Sequence, residues 1–180
     1  KRQVLEELKQ FLAPLKLPRK LTVQLDQCGA AARPYRTGGP ATVCYELVEQ
    51  IERVAAKASP NMREPVLVGT FIQAVLHEVA LAVFDILQVP VWGRPHDAAD
   101  MLSALLVLHF GEDVARQTIV GTAVFFEMSG RTWTGSAFAN VSSPEGQRYF
   151  NFLCIAYGGA QKTFEFLVKA EEGKEPIMPQ

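Results

Sequence analysis

The chain has 180 residues, 48% of them apolar and 21% charged, the proportions of an ordinary globular protein and not of a disordered one. Eighteen basic side chains stand against nineteen acidic ones, for a net charge of −1. No basic block stands out, so the footprint of a nucleic-acid binder is absent.

Along the chain, Val4, Leu5, Leu8, Phe11 and Leu12 recur at helical spacing, and Pro14 closes that helix. Leu21, Val23 and Leu25 alternate with polar residues, which predicts a half-buried strand. A turn at Gly38-Gly39-Pro40 leads to Ala41–Tyr45 as the returning strand of a small β-hairpin. Leu47, Val48, Ile51, Val54 and Ala55 then predict an amphipathic helix ending near Pro60.

From Val66 to Leu87 the residues are apolar on nearly every side, with Pro65 at the first turn. The stretch is long enough to cross a membrane, but Gln73, His77, Glu78 and Asp85 interrupt it. It reads as the buried central helix of a soluble domain, with no transmembrane segment.

After the connector Val89–Gly93, a helix is expected over Asp97–Phe110, a further one over Asp113–Met128, and another from Ser143-Pro144-Glu145 to Tyr157, stopped by Gly158-Gly159. Ser129–Ser143 reads as a surface loop, and Gln161–Lys169 as a last short helix. The fold class expected is α+β, mainly α, as one domain over 1–170 with a flexible tail over 171–180.

The three cysteines, Cys28, Cys44 and Cys154, match no metal or redox spacing. Cys28 and Cys44 flank a Gly/Pro-rich stretch that could bring them together; three reduced, buried thiols is the competing reading. Cys154 falls on an apolar helix face and reads as core. No signal peptide is legible at Lys1-Arg2-Gln3, an opening compatible with a mature exported protein or a trimmed chain. Neither a Gly-rich phosphate loop nor a Gly-x-Ser-x-Gly elbow appears.

His77-Glu78 in the middle of the apolar helix is the sharpest chemical feature. Zinc peptidases place two histidines at i and i+4 on one helix face, with the Glu between them activating the bound water. Here the i+4 position is Leu81, which cannot ligate. The simplest reading of His77 is a buried histidine hydrogen-bonded to Asp100 or a backbone carbonyl. Glu78 needs a partner such as Arg94, or its pKa rises. Asp97 can serve as an acid at a helix N-terminus.

Phe71–Asp85 (FIQAVLHEVALAVFD), Val89–Arg94 (VPVWGR) and His96–Leu106 (HDAADMLSALL) together resemble a family of exported bacterial zincin-like metallopeptidases, a domain whose activity is inferred from its motif. Phe11–Leu21, Cys28-Gly29, Cys44–Leu47 and Gln147–Gly158 match further blocks of that family in the same order. There the first helix reads His-Glu-Leu-Gly-His-Ala, and the segment after it Leu-Pro-Val-Leu-Gly-Arg-Glu-Glu-Asp-Ala-Ala-Asp. The resemblance implies that His77 corresponds to the first zinc ligand and Glu78 to the catalytic Glu. Leu81 stands where the second ligand would be, and His96 where the family has a ligand Glu. Asp100 matches the trailing Asp that orients a ligand histidine, and Asp97 matches a residue of unassigned role. An acidic-and-His stretch of the family is here Ala139-Asn140-Val141-Ser142-Ser143. A partner cysteine near the C-terminus is missing, which would leave Cys154 free.

The resemblance therefore implies a catalytically degenerate metallopeptidase-like protein, periplasmic or secreted, without cofactor. It would act as a non-enzymatic binding or structural module with a protein partner or as a subunit of an assembly. The apolar stretches around Val89–Trp92 and Phe125–Trp133 are candidate contact surfaces, with core or connector as the competing reading of each. The alternative is a zinc-dependent hydrolase with a rearranged site, in which His77, His96 and Asp100, or Asp97 in its place, hold the metal and Glu78 is catalytic. A weaker third reading is a small-molecule binder using the vacated cleft.

Overall fold

The computed structural model describes residues 4–29, 35–130, 141–169 and 177–178. Its elements in chain order are α1 (Val4–Leu12), β1 (Val23–Asp26), β2 (Ala41–Cys44), α2 (Tyr45–Lys57), α3 (Thr70–Ile86), α4 (Pro95–Val107), α5 (Glu112–Ser129), α6 (Glu145–Gly159) and α7 (Gln161–Phe164). The protein is α+β and mainly α, as its periodicities predict. A π-helical turn, Pro65–Gly69, leads into α3, and short 3-10 turns follow α4 and α7.

The two strands are where the alternation places them, but they do not form a hairpin. They pair in parallel, Val23 opposite Ala41 through Asp26 opposite Cys44. The connection over 27–40 is too long for a tight hairpin turn and carries the chain back to the start of β1 before β2 begins. Parallel pairing puts the C-terminal ends of both strands side by side, and there Cys28 and Cys44 form a disulfide. The carboxylate of Glu46, in the first turn of α2, accepts hydrogen bonds from the backbone N–H groups of Cys28 and Gly29 at 3.1 and 2.6 Å.

Helix α3 is the central element and packs against β2, α4 and α5. Twelve of its residues are buried, because an all-round apolar helix must be enclosed. Although the run Pro65–Ile86 is long and apolar enough to cross a membrane, 67% of its most apolar window is covered by the protein itself. Where that run begins it meets α5 backbone to backbone. A Cβ at Gly121 would lie 2.0 Å from the Pro65 carbonyl oxygen, and one at Gly69 would lie 2.8 Å from the Thr118 Cα. Helix α6 then bridges α4 and α5.

Two expectations are corrected here. Gly158-Gly159 does not stop α6 short of the pair; the helix runs through Gly159, whose missing Cβ leaves room for Leu108 of the α4 end. Cys154 is exposed and not core. It lies about 200° around α6 from both Phe152 and Ala156, which are buried. Within the expected tail, Met178 is buried, its N–H donating to the Leu167 carbonyl at 2.9 Å, and its sulfur is 3.8 Å from that of Cys154. The expected loop over 129–143 falls largely outside the described residues.

With one disulfide and three cysteines, thiol titration of the denatured, unreduced protein should find a single thiol, and reduction should raise the count to three. Reduction should also lower unfolding stability by about 3 kcal/mol, read from denaturant midpoints, for a bridge between residues 16 apart.

Candidate functional site

The site forms where α3, the first turns of α4 and the start of α6 meet. Gln73 and His77 are four residues apart on α3 and so share a face; His96 and Asp100 do the same on α4. Asp100 is only 3% exposed, and its carboxylate accepts four hydrogen bonds. His77 Nδ1, Gln73 Nε2 and Arg148 Nη2 reach Oδ1 at 2.7, 2.9 and 3.0 Å, and Arg148 Nε reaches Oδ2 at 2.7 Å. Burial alone would raise the Asp100 pKa. The Arg148 guanidinium and the hydrogen bonds from His77 and Arg148 overcome that and lower it from 3.8 to about 2. Arg148 comes from α6 and lies over the Phe126 ring of α5, 4.2 Å from its centroid.

On its other side, His77 Nε2 is 2.8 Å from His96 Nδ1, and the two rings are nearly parallel. Burial, followed by the charges of His77 and Arg148, lowers the His96 pKa, so this imidazole is neutral near pH 7. Leu81, 6% exposed, packs with Ala80 and Ala99, and Tyr35, Phe84 and Leu102 close around them. The expected second-ligand position is thus part of an apolar cluster. Glu78, one residue on from His77, is turned about 100° away from it. Burial raises its pKa, and Arg94 does not pair with it but donates to Ser143 Oγ at 3.0 Å. Asp97 accepts from the Ser143 N–H and hydroxyl at 2.7 and 2.6 Å, and so ties the start of α4 to the segment entering α6.

A cleft of about 550 Å³ opens beside these residues. Leu81, Phe84, Val89 and Val91 supply its apolar wall, and His96, Tyr35, Thr37, Asp85 and Gln88 its polar groups. Asp85, near the end of α3, accepts from Gly38 N–H, Tyr35 OH and Arg19 Nη2 at 2.8, 3.0 and 3.1 Å. The Gly38 N–H first, then Tyr35 and Arg19, hold its pKa below the usual carboxylate range despite some desolvation. This carboxylate holds the 35–38 segment against α3 as the far wall of the cleft.

A catalytic zinc needs three protein ligands and an open position. His77 Nε2 and His96 Nδ1 converge and account for two nitrogens. Asp100 lies behind His77, on its Nδ1, with both oxygens engaged, and Asp97 is engaged by Ser143. Leu81 offers no donor. Among the described residues, these side chains as placed do not fit a three-ligand zinc. Among the described residues, the one cluster of three potential ligands is Cys28, Cys44 and Glu46, whose two sulfurs are bonded to each other.

Of the residues singled out from sequence, the structure brings His77, His96 and Asp100 together and sets Asp97 beside them on Ser143. Sequence reasoning missed Gln73, Arg148 and Ser143. Gln73 was detectable as a polar residue one helical turn before His77 on an apolar helix. Arg148 was detectable as a lone cation entering an apolar helix; Ser143 left no signal.

A family model described as "Putative metallopeptidase" matches residues 1–176. No curated protein and no solved structure matches the chain.

Removing the cation from this network should be costly. Arg148→Met should lose about 3 kcal/mol of unfolding stability, because it strands a buried carboxylate. The Asp100 pKa is depressed on folding, so its contribution is fully present above about pH 4 and is lost as pH falls toward about 2. The stability gap between wild type and Asp100→Asn should therefore be constant from pH 7 to about 5 and narrow below about 4 in denaturant titrations.

Proposed function

We propose, for a chain that belongs to the metallopeptidase family matched over residues 1–176, that it is a catalytically degenerate member working as a non-enzymatic binding module. The observation that carries this reading is the hydrogen bond between His77 Nε2 and His96 Nδ1: the two ring nitrogens that would face a metal face each other. The alkyl side chain of Leu81 and the closed carboxylates of Asp97 and Asp100 support it from the remaining sides. The ligand occupies the cleft beside His96, whose volume and mixed lining suit a small molecule or a short segment of a partner. An exposed ridge on the α3–α4 connector, where Trp92 is 94% exposed and Leu87 and Val89 stand about half out of the surface, supports a protein partner next to that cleft. Of the second expected patch, Phe125 is core and Trp133 lies outside the described residues. The Cys28–Cys44 disulfide is compatible with an oxidising, extracytoplasmic location, which is part of the same proposal.

The competing reading, a zinc hydrolase with a rearranged ligand set, draws on the same convergence of His77 and His96. Elemental mass spectrometry of the purified protein separates the two. The proposal predicts less than a tenth of an equivalent of zinc and no cleavage of a quenched casein substrate, on the order of background. Stoichiometric zinc that is lost in His77→Ala would sink it. Leu81→His should create a site with three converging nitrogens and retain about one equivalent of zinc.

A further inference from the structure

A second hollow in the molecule takes no part in the site described above. Helix α1 forms one wall of this groove, the segment 15–23 forms the other, and the buried Val75 of α3 closes the bottom. The space is about 790 Å³, within the range of small-molecule sites, and it shares no lining residue with the cleft beside His96. Leu12, Leu15, Leu17 and Leu21 line it together with Val75. Leu12 and Leu21 also pack against the main core, whereas Leu15 is 46% exposed. Pro14 and Pro18 keep the stretch between α1 and β1 out of helix, so these leucines border a channel and do not close into a helical stripe.

An exposed leucine is ordinary on a protein surface. Charge is what sets this groove apart. Lys9, Arg19 and Lys20 stand along its lining against a single acidic residue, Glu6. Residues 9–20 hold four basic side chains, those three and Lys16, and no acidic one, in a chain whose net charge is −1. Arg19 is already paired with Asp85 at 3.1 Å. Lys9 and Lys20 have no ion-pair partner among the described residues. The groove therefore joins an apolar floor to a rim with two unpaired ammonium groups and one carboxylate.

We infer that this groove binds a free medium-chain fatty carboxylate, with its alkyl chain along the leucines and Val75 and its head group at Lys9 and Lys20. Burial of the alkyl chain supplies most of the affinity, because ion pairs with exposed lysines contribute little in water. The lysines choose the head group: a carboxylate is favoured, a neutral alcohol is tolerated and a quaternary ammonium is repelled. The site lies apart from the cleft and does not depend on the role proposed for it.

Titration of the purified full chain with decanoate, decanol and decyltrimethylammonium, each kept below the concentration at which it aggregates, tests this by methyl NMR. Decanoate should bind roughly twofold to fivefold tighter than decanol at low salt, and the difference should shrink at high salt. The Val75 methyl signals should move with both ligands. When Lys9→Gln and Lys20→Gln are combined, the preference should vanish while decanol binds as before. Leu15→Asp, a change at an exposed position, should weaken decanoate roughly tenfold. Equal binding of decanoate and decanol, or tighter binding of the ammonium, would overturn the inference. So would binding that leaves Val75 unmoved, which puts the ligand elsewhere, and so would binding of none of the three. Sedimentation with anionic phospholipid vesicles, without binding of monomeric decanoate, would put a membrane surface in place of the fatty carboxylate and overturn it too.

Discussion

A single ionised carboxylate inside a helical core sets the terms for this structure. Moving a carboxylate out of water costs several kcal/mol even after relaxation, and it is tolerated only where its lone pairs are met and its charge is balanced. At Asp100 both conditions hold through three different helices: Gln73 and His77 from α3, Arg148 from α6, and Asp100 itself on α4. The relative placement of those helices cannot drift without breaking one of these bonds. The Arg148 guanidinium extends the constraint to α5 through the Phe126 ring. Hydrophobic packing around α3 supplies most of the driving force for folding; the Asp100 network selects the register in which α3, α4 and α6 meet.

The same network decides what chemistry is left at the surface. It holds the His77 ring with Nε2 toward His96, so the two imidazoles complete each other's hydrogen bonding. Here Leu81 joins Ala80 and Ala99 in an apolar cluster that extends to the cleft. Glu78 sits in a partly buried position where its charge is disfavoured. Across the cleft, Asp85 plays a smaller version of the Asp100 role by fastening the 35–38 segment with three donors.

Much of this was legible in the chain, because helices announce themselves by period and the central one by its unbroken apolarity. The strands were legible at Leu21–Leu25 and Ala41–Tyr45, but their direction was not. Alternation reports which face is buried and carries no information on whether the neighbour runs parallel. The disulfide could not be separated from free thiols by spacing alone, since the parallel pairing that aligns Cys28 with the end of β2 is a tertiary fact. At the site, His77 was legible as a histidine inside an apolar helix, whereas His96 and Asp100 entered through the resemblance. Their grouping was expected from the resemblance, and the hydrogen bond from His77 to Asp100 from the need of a buried imidazole for a partner. The contact between the two histidines was not foreseen, and neither was Arg148, which comes from a helix distant in sequence. Cys154 was misplaced because the face of α6 looks apolar all round; the core there is chosen by Phe152 and Ala156.

The account holds that hydrogen bonds within the protein, and not a metal, maintain the site. Denaturant unfolding at pH 7, run with excess zinc, with a strong chelator and with neither, tests that claim most directly. The account predicts one midpoint in all three, within about 0.3 kcal/mol. A rise of roughly 2 kcal/mol or more with zinc, reversed by the chelator, would mean that the folded state binds the metal tightly and would contradict it.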